Sequence, residues 1–324
     1  MTLGAYARAS DTGKKRRRNE DSYVVAPPLF AVADGMGGAQ AGEVASKLAA
    51  AVLEDTESGP STGRDRVVAL IQEANRRVYE RATADPATSG MGTTMTVALV
   101  EGQVVTIGHV GDSRAYLARA GHLEQLTEDH SLVNELLKSG KLSPQEAVTH
   151  PQRSVITRAV GTDADVDVDA FAVDALEGDV FLLCSDGLTD MVGDEDILDL
   201  VERYHDDLDR VAKSLVSAAN RGGGEDNITV IAFTMTAEGD TVRMPAAEPD
   251  EDTLEGIPVP APTVDTVVVP PEEVEHVFVE PGSAAADAVT KKEPIAPAAR
   301  VRLVLGMLVL LGIAAVLLVW GLLR

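Results

Sequence analysis

The chain has 324 residues and a formal net charge of −24 at pH 7, with 52 acidic and 28 basic side chains. Because so acidic a chain would repel the phosphates of a nucleic acid, we expect no nucleic-acid partner. It has one cysteine, Cys184, which excludes an internal disulfide and a paired-thiol metal or redox motif.

Apolar runs and helical periodicities occur in clusters between residues 1 and 236. In chain order, the pattern predicts strands at 22–26, 29–33, 93–100, 104–110, 113–118, 166–172, 180–184 and 227–233. Helical periodicity covers 43–53, 67–78, 132–137, 197–201 and 208–219. Since clustered strands alternate with helix pairs, we predict an α+β layered sandwich with mostly antiparallel sheets.

The segment 237–300 differs in composition from the first 236 residues. It is rich in Glu, Asp and Pro and poor in periodic apolar residues, which predicts a disordered acidic linker. The Val-rich patch at 266–269 is either a docking strand or part of the spacer, and its surroundings favour the spacer.

The last segment, 301–324, predicts one transmembrane helix. Residues 303–323 carry no charge, and at ~1.5 Å per residue they span ~30 Å of hydrocarbon. Basic residues precede the helix at Lys291, Lys292, Arg300 and Arg302, against Arg324 alone after it. The positive-inside rule therefore places the domain at 1–236 in the cytoplasm, as part of a single-pass membrane protein. The first ten residues lack a signal-peptide core, which agrees with this orientation.

Acidic residues stand beside glycine or at the ends of several predicted strands. They are Glu20, Asp21, Asp34, Asp112, Asp186 and Asp226. Any one of them could be an ordinary turn residue. Strands lying side by side would instead bring the carboxylates to one edge of the core, where protons or cations must neutralise them. All-oxygen ligands suit Mg²⁺ or Mn²⁺, and the six scattered histidines offer no zinc spacing.

Two such ions held close together would favour hydrolysis by an activated water. Carboxylates that bridge two ions, typically ~3.5–4 Å apart, can hold a water between them, lower its pKa and present it for in-line attack on phosphorus. Arg16, within the basic run at 14–18, can offer bidentate hydrogen bonds to a phosphate. The pattern therefore predicts a phosphate-ester hydrolase without a protein nucleophile.

Seven motifs in this order resemble the motif series of the metal-dependent protein phosphatase 2C family, over about residues 3–236. They are Gly13-x-x-Arg16-x-x-Asn19-Glu20-Asp21, Ala33-Asp34-Gly35-Met36-Gly37-Gly38, Gly92-Thr93-Thr94, Gly108-His109-Val110-Gly111-Asp112-Ser113-Arg114, Leu126-Thr127-x-Asp129-His130-Ser131, Cys184-Ser185-Asp186-Gly187-Leu188-x-Asp190 and Glu225-Asp226-Asn227-Ile228-Thr229. Order and spacing together make the resemblance specific.

The resemblance implies a four-layer α-β-β-α sandwich of two mostly antiparallel sheets flanked by helices, with a dinuclear Mn²⁺ or Mg²⁺ centre at one edge. By position, it implies that Asp34 bridges both metals and that the Gly35 carbonyl binds one of them. Asp186 and Asp226 would complete the coordination.

The resemblance also implies further roles. Glu20 and Asp21 would act directly or through metal-bound water, and Arg16 would hold the substrate phosphate. Asp112, with Asp186, would help bind a third metal ion. Asn227 and Asp190 resemble supporting residues around the metal ligands.

The implied function is hydrolysis of phosphoserine and phosphothreonine on proteins by a metal-bridged water, which would reverse serine/threonine kinase signalling at the membrane. A membrane kinase is the partner expected by analogy. The stretch 130–157 resembles the flap beside the family's site. Eukaryotic relatives often have His where this chain has Met36; methionine cannot donate a proton, so the proton donor to the leaving group stays unassigned.

Three other functions are alternatives to a phosphatase. A dinucleotide-binding turn could use Gly35-x-Gly37 and Asp55, but Gln40 stands where a third glycine is needed. A catalytically dead relative that binds phosphoproteins would normally have lost a ligand, yet all the acids are present. A pure scaffold would leave the acidic cluster unexplained. Metal-dependent hydrolysis of p-nitrophenyl phosphate distinguishes these alternatives.

Overall fold

The computed structural model describes residues 1–37, 41–55, 61–147 and 150–237, and the backbone of 267–268. All of them lie in one compact unit, Met1–Val274. The predicted transmembrane helix at 301–324 lies outside these residues, as does nearly all of the predicted linker at 237–300. Across the described ranges, no helix is both long and apolar enough to cross a membrane.

The described residues form thirteen strands, several of them with the alternating or continuous apolar pattern expected of half-buried and buried strands. They are β1 Thr2–Asp11, β2 Asp21–Ala26, β3 Leu29–Met36, β4 Gly92–Thr93, β5 Met95–Glu101, β6 Val104–Val110, β7 Arg114–Arg119, β8 His122–Gln125, β9 Val155–Ile156, β10 Asp169–Asp174, β11 Val180–Cys184, β12 Ile228–Thr236 and β13 Val267–Val268.

The described residues also form seven α-helices and one short 3₁₀ helix, Pro86–Thr88. The α-helices are α1 Ala41–Asp55, α2 Gly63–Ala84, α3 Leu132–Lys138, α4 Pro144–Ala147, α5 Asp186–Thr189, α6 Asp194–Arg203 and α7 Leu208–Gly222. Capping side chains explain where two of the helices start. The Ser131 hydroxyl accepts a hydrogen bond from the Asn134 N–H at the start of α3, and the Asp207 carboxylate accepts one from the Arg210 N–H at the start of α7.

Two antiparallel sheets form the centre of the domain. One has the strand order β1-β12-β11-β7-β8, and the other β10-β6-β5-β3-β2 with β4 paired to β3. Phe30 of β3 stacks on Phe233 of β12 at 4.6 Å between ring centroids, and Phe233 stacks on Phe181 at 5.1 Å. These rings bury apolar surface between the two sheets, where stacking adds to the hydrophobic stabilisation.

Helices cover the outer face of each sheet. Apolar residues of α1 and α2, such as Ala45 and Ile71, form one core with β3 and β5. Those of α6 and α7, such as Ile197 and Leu215, form another with β11 and β12. The predicted α+β arrangement of two antiparallel sheets with flanking helices is therefore confirmed.

Some predicted boundaries are wrong. We expected the strand at 29–33 to end before Asp34 and to place that carboxylate in a loop, but β3 continues through Asp34 to Met36. The reason is that Asp34 pairs with Asp21 of β2, and Gly35 pairs with Thr93 of β4. The apolar pattern also did not predict β1, in which only Gly4, Tyr6 and Ala7 are buried.

A parallel pairing lies outside the two main sheets. Val267 and Val268 of β13 stand in register with Val155 and Ile156 of β9. The sequence favours a spacer over a docking strand at 266–269, but at these two residues the structure has the docked strand.

Candidate active site

Four aspartates converge at one edge of the two sheets. Asp21 and Asp34 face each other across β2 and β3. Asp186 begins α5 two residues after the end of β11, and Asp226 lies two residues before β12. Each of these carboxylates changes the pKa of at least one of the others. The predicted convergence of acids therefore exists in the fold.

Hydrogen bonds from the five-stranded sheet hold Asp21 in place. Its Oδ2 accepts from the Ser185 hydroxyl at 2.8 Å and from the Thr229 hydroxyl at 2.6 Å. Thr229 belongs to β12 and Ser185 follows the end of β11, both strands of the other sheet, so the bonds tie the two halves of the site together. Sequence reasoning overlooked Ser185 and Thr229 as supports, although both stand inside the quoted motifs.

Burial and mutual repulsion disfavour the ionised forms of these acids. Burial raises the pKa of Asp21 to about 6 against the opposing hydroxyl bonds. Burial, followed by the charges of Asp21, Asp186 and Asp226, raises the pKa of Asp34 well above its usual value. The pKa of Asp186 rises for the same kind of reason, with Asp112 as its first charged neighbour. The cluster therefore requires protons or cations to be stable.

Three carboxylate oxygens at this edge are buried without a hydrogen-bond partner: Oδ1 of Asp21, Asp112 and Asp186. A buried oxygen that neither accepts a hydrogen bond nor contacts a cation is costly. Within the described ranges, no three His, Cys, Asp or Glu side chains already surround a metal position. The fit to a divalent cation rests on the donor chemistry: hard oxygen atoms, excess negative charge and orphaned acceptors suit Mg²⁺ or Mn²⁺.

A small, shallow cleft opens beside the acids. It is lined by Arg16, Glu20, Asp34, Gly35, Met36, Gly37 and Asp226. Nη2 of Arg16 lies 2.8 Å from Oδ2 of Asp226. Burial lowers the pKa of Arg16, but the negative charges of Asp226, Asp34 and Glu20 outweigh it and raise this pKa overall, so the guanidinium stays charged at the mouth of the cleft.

Asn227 fixes the loop that carries Arg16 and Glu20. Its Oδ1 accepts from the Glu20 N–H at 2.7 Å, while its Nδ2 donates to the carbonyls of Thr12 and Arg18 at 3.0 and 2.8 Å. Since a primary amide offers donors and an acceptor at once, it can hold both ends of the loop. Asn227 thus acts on the site through the backbone of its neighbours.

Asp112 and Asp190 also lie close enough to Asp186 for their charges to raise its pKa. Burial, followed by the charge of Asp129, raises the pKa of Asp112 to about 7. Asp190, at the end of α5, is exposed, and its Oδ2 is 3.5 Å from Nη2 of Arg153. Arg153 belongs to the predicted flap and was not singled out from the sequence, because an isolated arginine in a loop carries no local signal.

Comparisons with known proteins agree with this geometry. The family model described as Protein phosphatase 2C matches residues 10–136 and 166–228. A serine/threonine phosphatase of Listeria welshimeri is 41% identical over 233 residues, which cover 68% of this chain and 92% of that protein. The PstP phosphatase of Mycobacterium tuberculosis is 43% identical over 232 residues, 70% of this chain but 44% of that longer protein.

Solved structures show the same fold. The crystal structure of Mycobacterium tuberculosis PstP is similar with a TM-score of 0.69 at 40% identity, and the match covers 73% of this chain and all of that one. A PstP catalytic domain in complex with two manganese ions matches with a TM-score of 0.67 at 38% identity, with the same coverage of both chains. The chain therefore belongs to the protein phosphatase 2C family and is a metal-dependent protein serine/threonine phosphatase.

Proposed function

We propose that the acidic edge holds two Mn²⁺ or Mg²⁺ ions and that the site hydrolyses phosphoserine and phosphothreonine on proteins. The observation that carries this is the group of buried aspartates with unpartnered oxygens beside a cleft that presents Arg16. A PstP catalytic domain of the same fold is described with two manganese ions, which supports the stoichiometry.

Individual residues take the following roles in this proposal. Asp34, the Gly35 carbonyl, Asp186 and Asp226 hold the two ions, and Glu20 and Asp21 support them directly or through water. Asp112, beside Asp186, belongs to a third ion. Asn227 holds the loop that carries Arg16. Asp190 is a supporting residue outside the set of metal ligands, and it contacts Arg153.

Bound ions would neutralise the carboxylates and lower the pKa of a water for attack on phosphorus. The chain's own residues orient the substrate. Arg16 lies at the cleft and can grip two phosphate oxygens with its planar guanidinium, which sets the phosphorus in line for attack. Met36 lines the same cleft and offers an apolar contact but no proton.

The test uses the full chain in detergent with a phosphothreonine peptide. We expect turnover with Mn²⁺, none with excess EDTA, and a loss of at least about 10³-fold in Asp34→Asn, because electrostatic stabilisation of the transition state disappears. Asp65→Asn, an exposed aspartate of α2, is the matched control and should stay within twofold of wild type. Undiminished turnover in Asp34→Asn would contradict the assigned site.

We further propose that the protein acts at the membrane, with its catalytic domain in the cytoplasm and phosphoproteins, including a membrane serine/threonine kinase, as substrates. The support is the uncharged stretch at 303–323 and the basic residues before it. Tethering would raise the local concentration of the enzyme toward membrane-held substrates. Removal of residues 301–324 should move the protein from the membrane to the soluble fraction without loss of peptide turnover; a truncated protein that still pellets with membranes would contradict the anchor.

A further inference from the structure

Strand β9 has a neighbour on each of its two edges. On one edge, Ile156 forms an antiparallel bridge with Ser131, and the Thr157 N–H donates to the His130 carbonyl at 2.9 Å. On the other edge, Val267–Val268 pairs in parallel register with Val155–Ile156. Because successive N–H groups of a strand point to opposite edges, the Ile156 N–H faces β13.

The same strand is connected to the active site. Ile156 packs in a small buried cluster with Ala159 and Met36, and Met36 lines the cleft. Three residues before Ile156, Arg153 reaches Asp190 at 3.5 Å. A peptide that pairs with the outer edge of β9 therefore contacts the segment that borders the substrate cleft.

The sequence of the pairing segment suits a short docked strand. Thr266 to Val269 are four β-branched residues, which favour extended backbone. Pro270 and Pro271 follow, and proline cannot donate to a ladder, so the sequence itself favours a short strand. The parallel partner β9 ends at Ile156, so the chain between it and Val267 is far longer than the crossover that parallel strands need.

A pairing of two residues is weak because each backbone hydrogen bond replaces one with water. A segment on the same chain nevertheless meets its site at an effective concentration on the order of millimolar. Such a contact can form and be displaced. Acidic residues flank the segment at Asp265 and Glu272, so it carries the same sign of charge as a phosphopeptide.

We propose that the outer edge of β9 is a strand-addition site for extended peptides, and that the chain's own Val267–Val268 segment occupies it and competes with phosphopeptide substrates. In strand addition the main chain supplies the affinity, so a substrate of almost any sequence can use the same edge. The competition rests on the proposed function, whereas the strand contact does not.

The test compares the full-length wild type with Val267→Pro/Val268→Pro, in detergent and with Mn²⁺. Proline removes both N–H groups of β13. We expect several-fold faster hydrogen exchange of the Ile156 amide and a roughly 3- to 10-fold lower KM for a twelve-residue phosphothreonine peptide. Hydrolysis of p-nitrophenyl phosphate, which has no peptide backbone, should change by less than twofold. Val277→Pro/Val279→Pro, with the same substitutions farther along the chain, should match wild type.

A synthetic peptide of residues 263–272, added at millimolar concentration to the Val267→Pro/Val268→Pro variant, should restore Ile156 protection and the higher KM. Unchanged Ile156 exchange in that variant would overturn the docked strand. Faster exchange with an unchanged peptide KM would overturn the competition. If the proposed function itself failed, wild type and variants alike would leave both substrates intact, while Ile156 exchange would still report on the strand.

Discussion

The guanidinium of Arg16 lies 2.8 Å from the carboxylate of Asp226, with 23% and 27% of the two side chains exposed. The two residues come from loops 210 positions apart, so the contact closes one side of the cleft between the start and the end of the domain. In the proposed function Asp226 serves a metal and Arg16 serves the substrate phosphate. The ion pair holds both near their working positions.

Replacement of Arg16 by alanine should weaken substrate binding more than metal binding. A hydrogen bond to a charged group contributes about 1.5–3 kcal/mol, so we expect kcat/KM for a phosphopeptide to fall roughly 10- to 100-fold, mostly through KM. Affinity for Mn²⁺, measured by calorimetry, should be unchanged or higher because Asp226 loses a competing cation. Lys15→Ala, an exposed neighbour in the same basic run, is the control. A wild-type KM in Arg16→Ala would remove Arg16 from the phosphate site.

The buried acids make the stability of the metal-free protein depend on pH. The pKa of Asp21 is raised to about 6, so its proton binds more tightly in the folded than in the unfolded state. The stability that the protonated carboxyl contributes is complete at low pH. It is lost as pH rises from 3.8, the pKa of Asp21 in the unfolded chain, through about 6, its pKa in the folded protein. By linkage this loss amounts to about 3 kcal/mol.

The variant Asp21→Asn isolates this effect, since it keeps acceptor oxygen for Ser185 and Thr229 but cannot ionise. Burial lowers the pKa of His109 to about 3 and also lowers that of His130. These two histidines make the folded state more stable as pH rises, which is opposite to the effect of Asp21. Wild type and variant share this contribution, so it cancels when the two are compared. In EDTA, the unfolding free energy of Asp21→Asn, measured by urea denaturation, should rise relative to that of wild type by about 2.4 kcal/mol between pH 4 and pH 7. A constant difference across that range would contradict the buried, ionisable Asp21.

The acids of the site could be predicted from sequence because each follows a strongly apolar run or sits in a motif. Asp34 follows the apolar run at 29–33 and Asp186 closely follows the apolar run at 180–184, and the alternation of strand clusters and helices indicated the antiparallel class. What could not be predicted depends on contacts between distant residues. The pairing of Arg16 with Asp226, and the bonds from Ser185 and Thr229 to Asp21, exist only once the two sheets are stacked.

The sequence pattern could not predict the extent of some strands, for a related reason. Thr2–Asp11 reads as a weakly apolar segment with several polar residues, yet it pairs along most of its length with β12. Edge strands need apolar residues on only one face, so their signal is weak. Likewise, the valines at 267–268 indicate extended backbone but do not name β9 as the partner, because pairing register is a tertiary property.

Replacement of His130 by alanine should destabilise the domain. Its Nδ1 accepts from the Gly111 N–H at 3.0 Å, so Nε2 carries the ring proton and faces Asp169 at 3.2 Å. Loss of a buried acceptor costs about 2 kcal/mol, which lowers the melting temperature by roughly 4–8 °C in a domain of this size. His122→Ala, an exposed histidine of β8, should melt within about 1 °C of wild type by the same scale. Equal melting temperatures for both variants would contradict a structural role of His130.

Replacement of Gly187 by alanine should separate two of the proposed metal-binding segments. A Cβ at Gly187 would lie 2.0 Å from the Asn227 carbonyl oxygen, so Asp186 at the start of α5 and the neighbouring Asp226 would have to move apart. Misplacement of about 1 Å can cost about 10²-fold in rate, and we expect a loss of that size in Mn²⁺-dependent turnover of p-nitrophenyl phosphate.

Gly193→Ala is the matched control for that substitution. Its φ of −73° suits alanine, and nothing lies within 4 Å of the added Cβ, so turnover should stay within twofold of wild type. Circular dichroism and thermal unfolding of both variants separate loss of geometry from loss of folding. If Gly187→Ala kept wild-type turnover, then α5 would be free to shift against Asn227 without disturbing the site, and Asp186 would not need the position that its close packing now imposes.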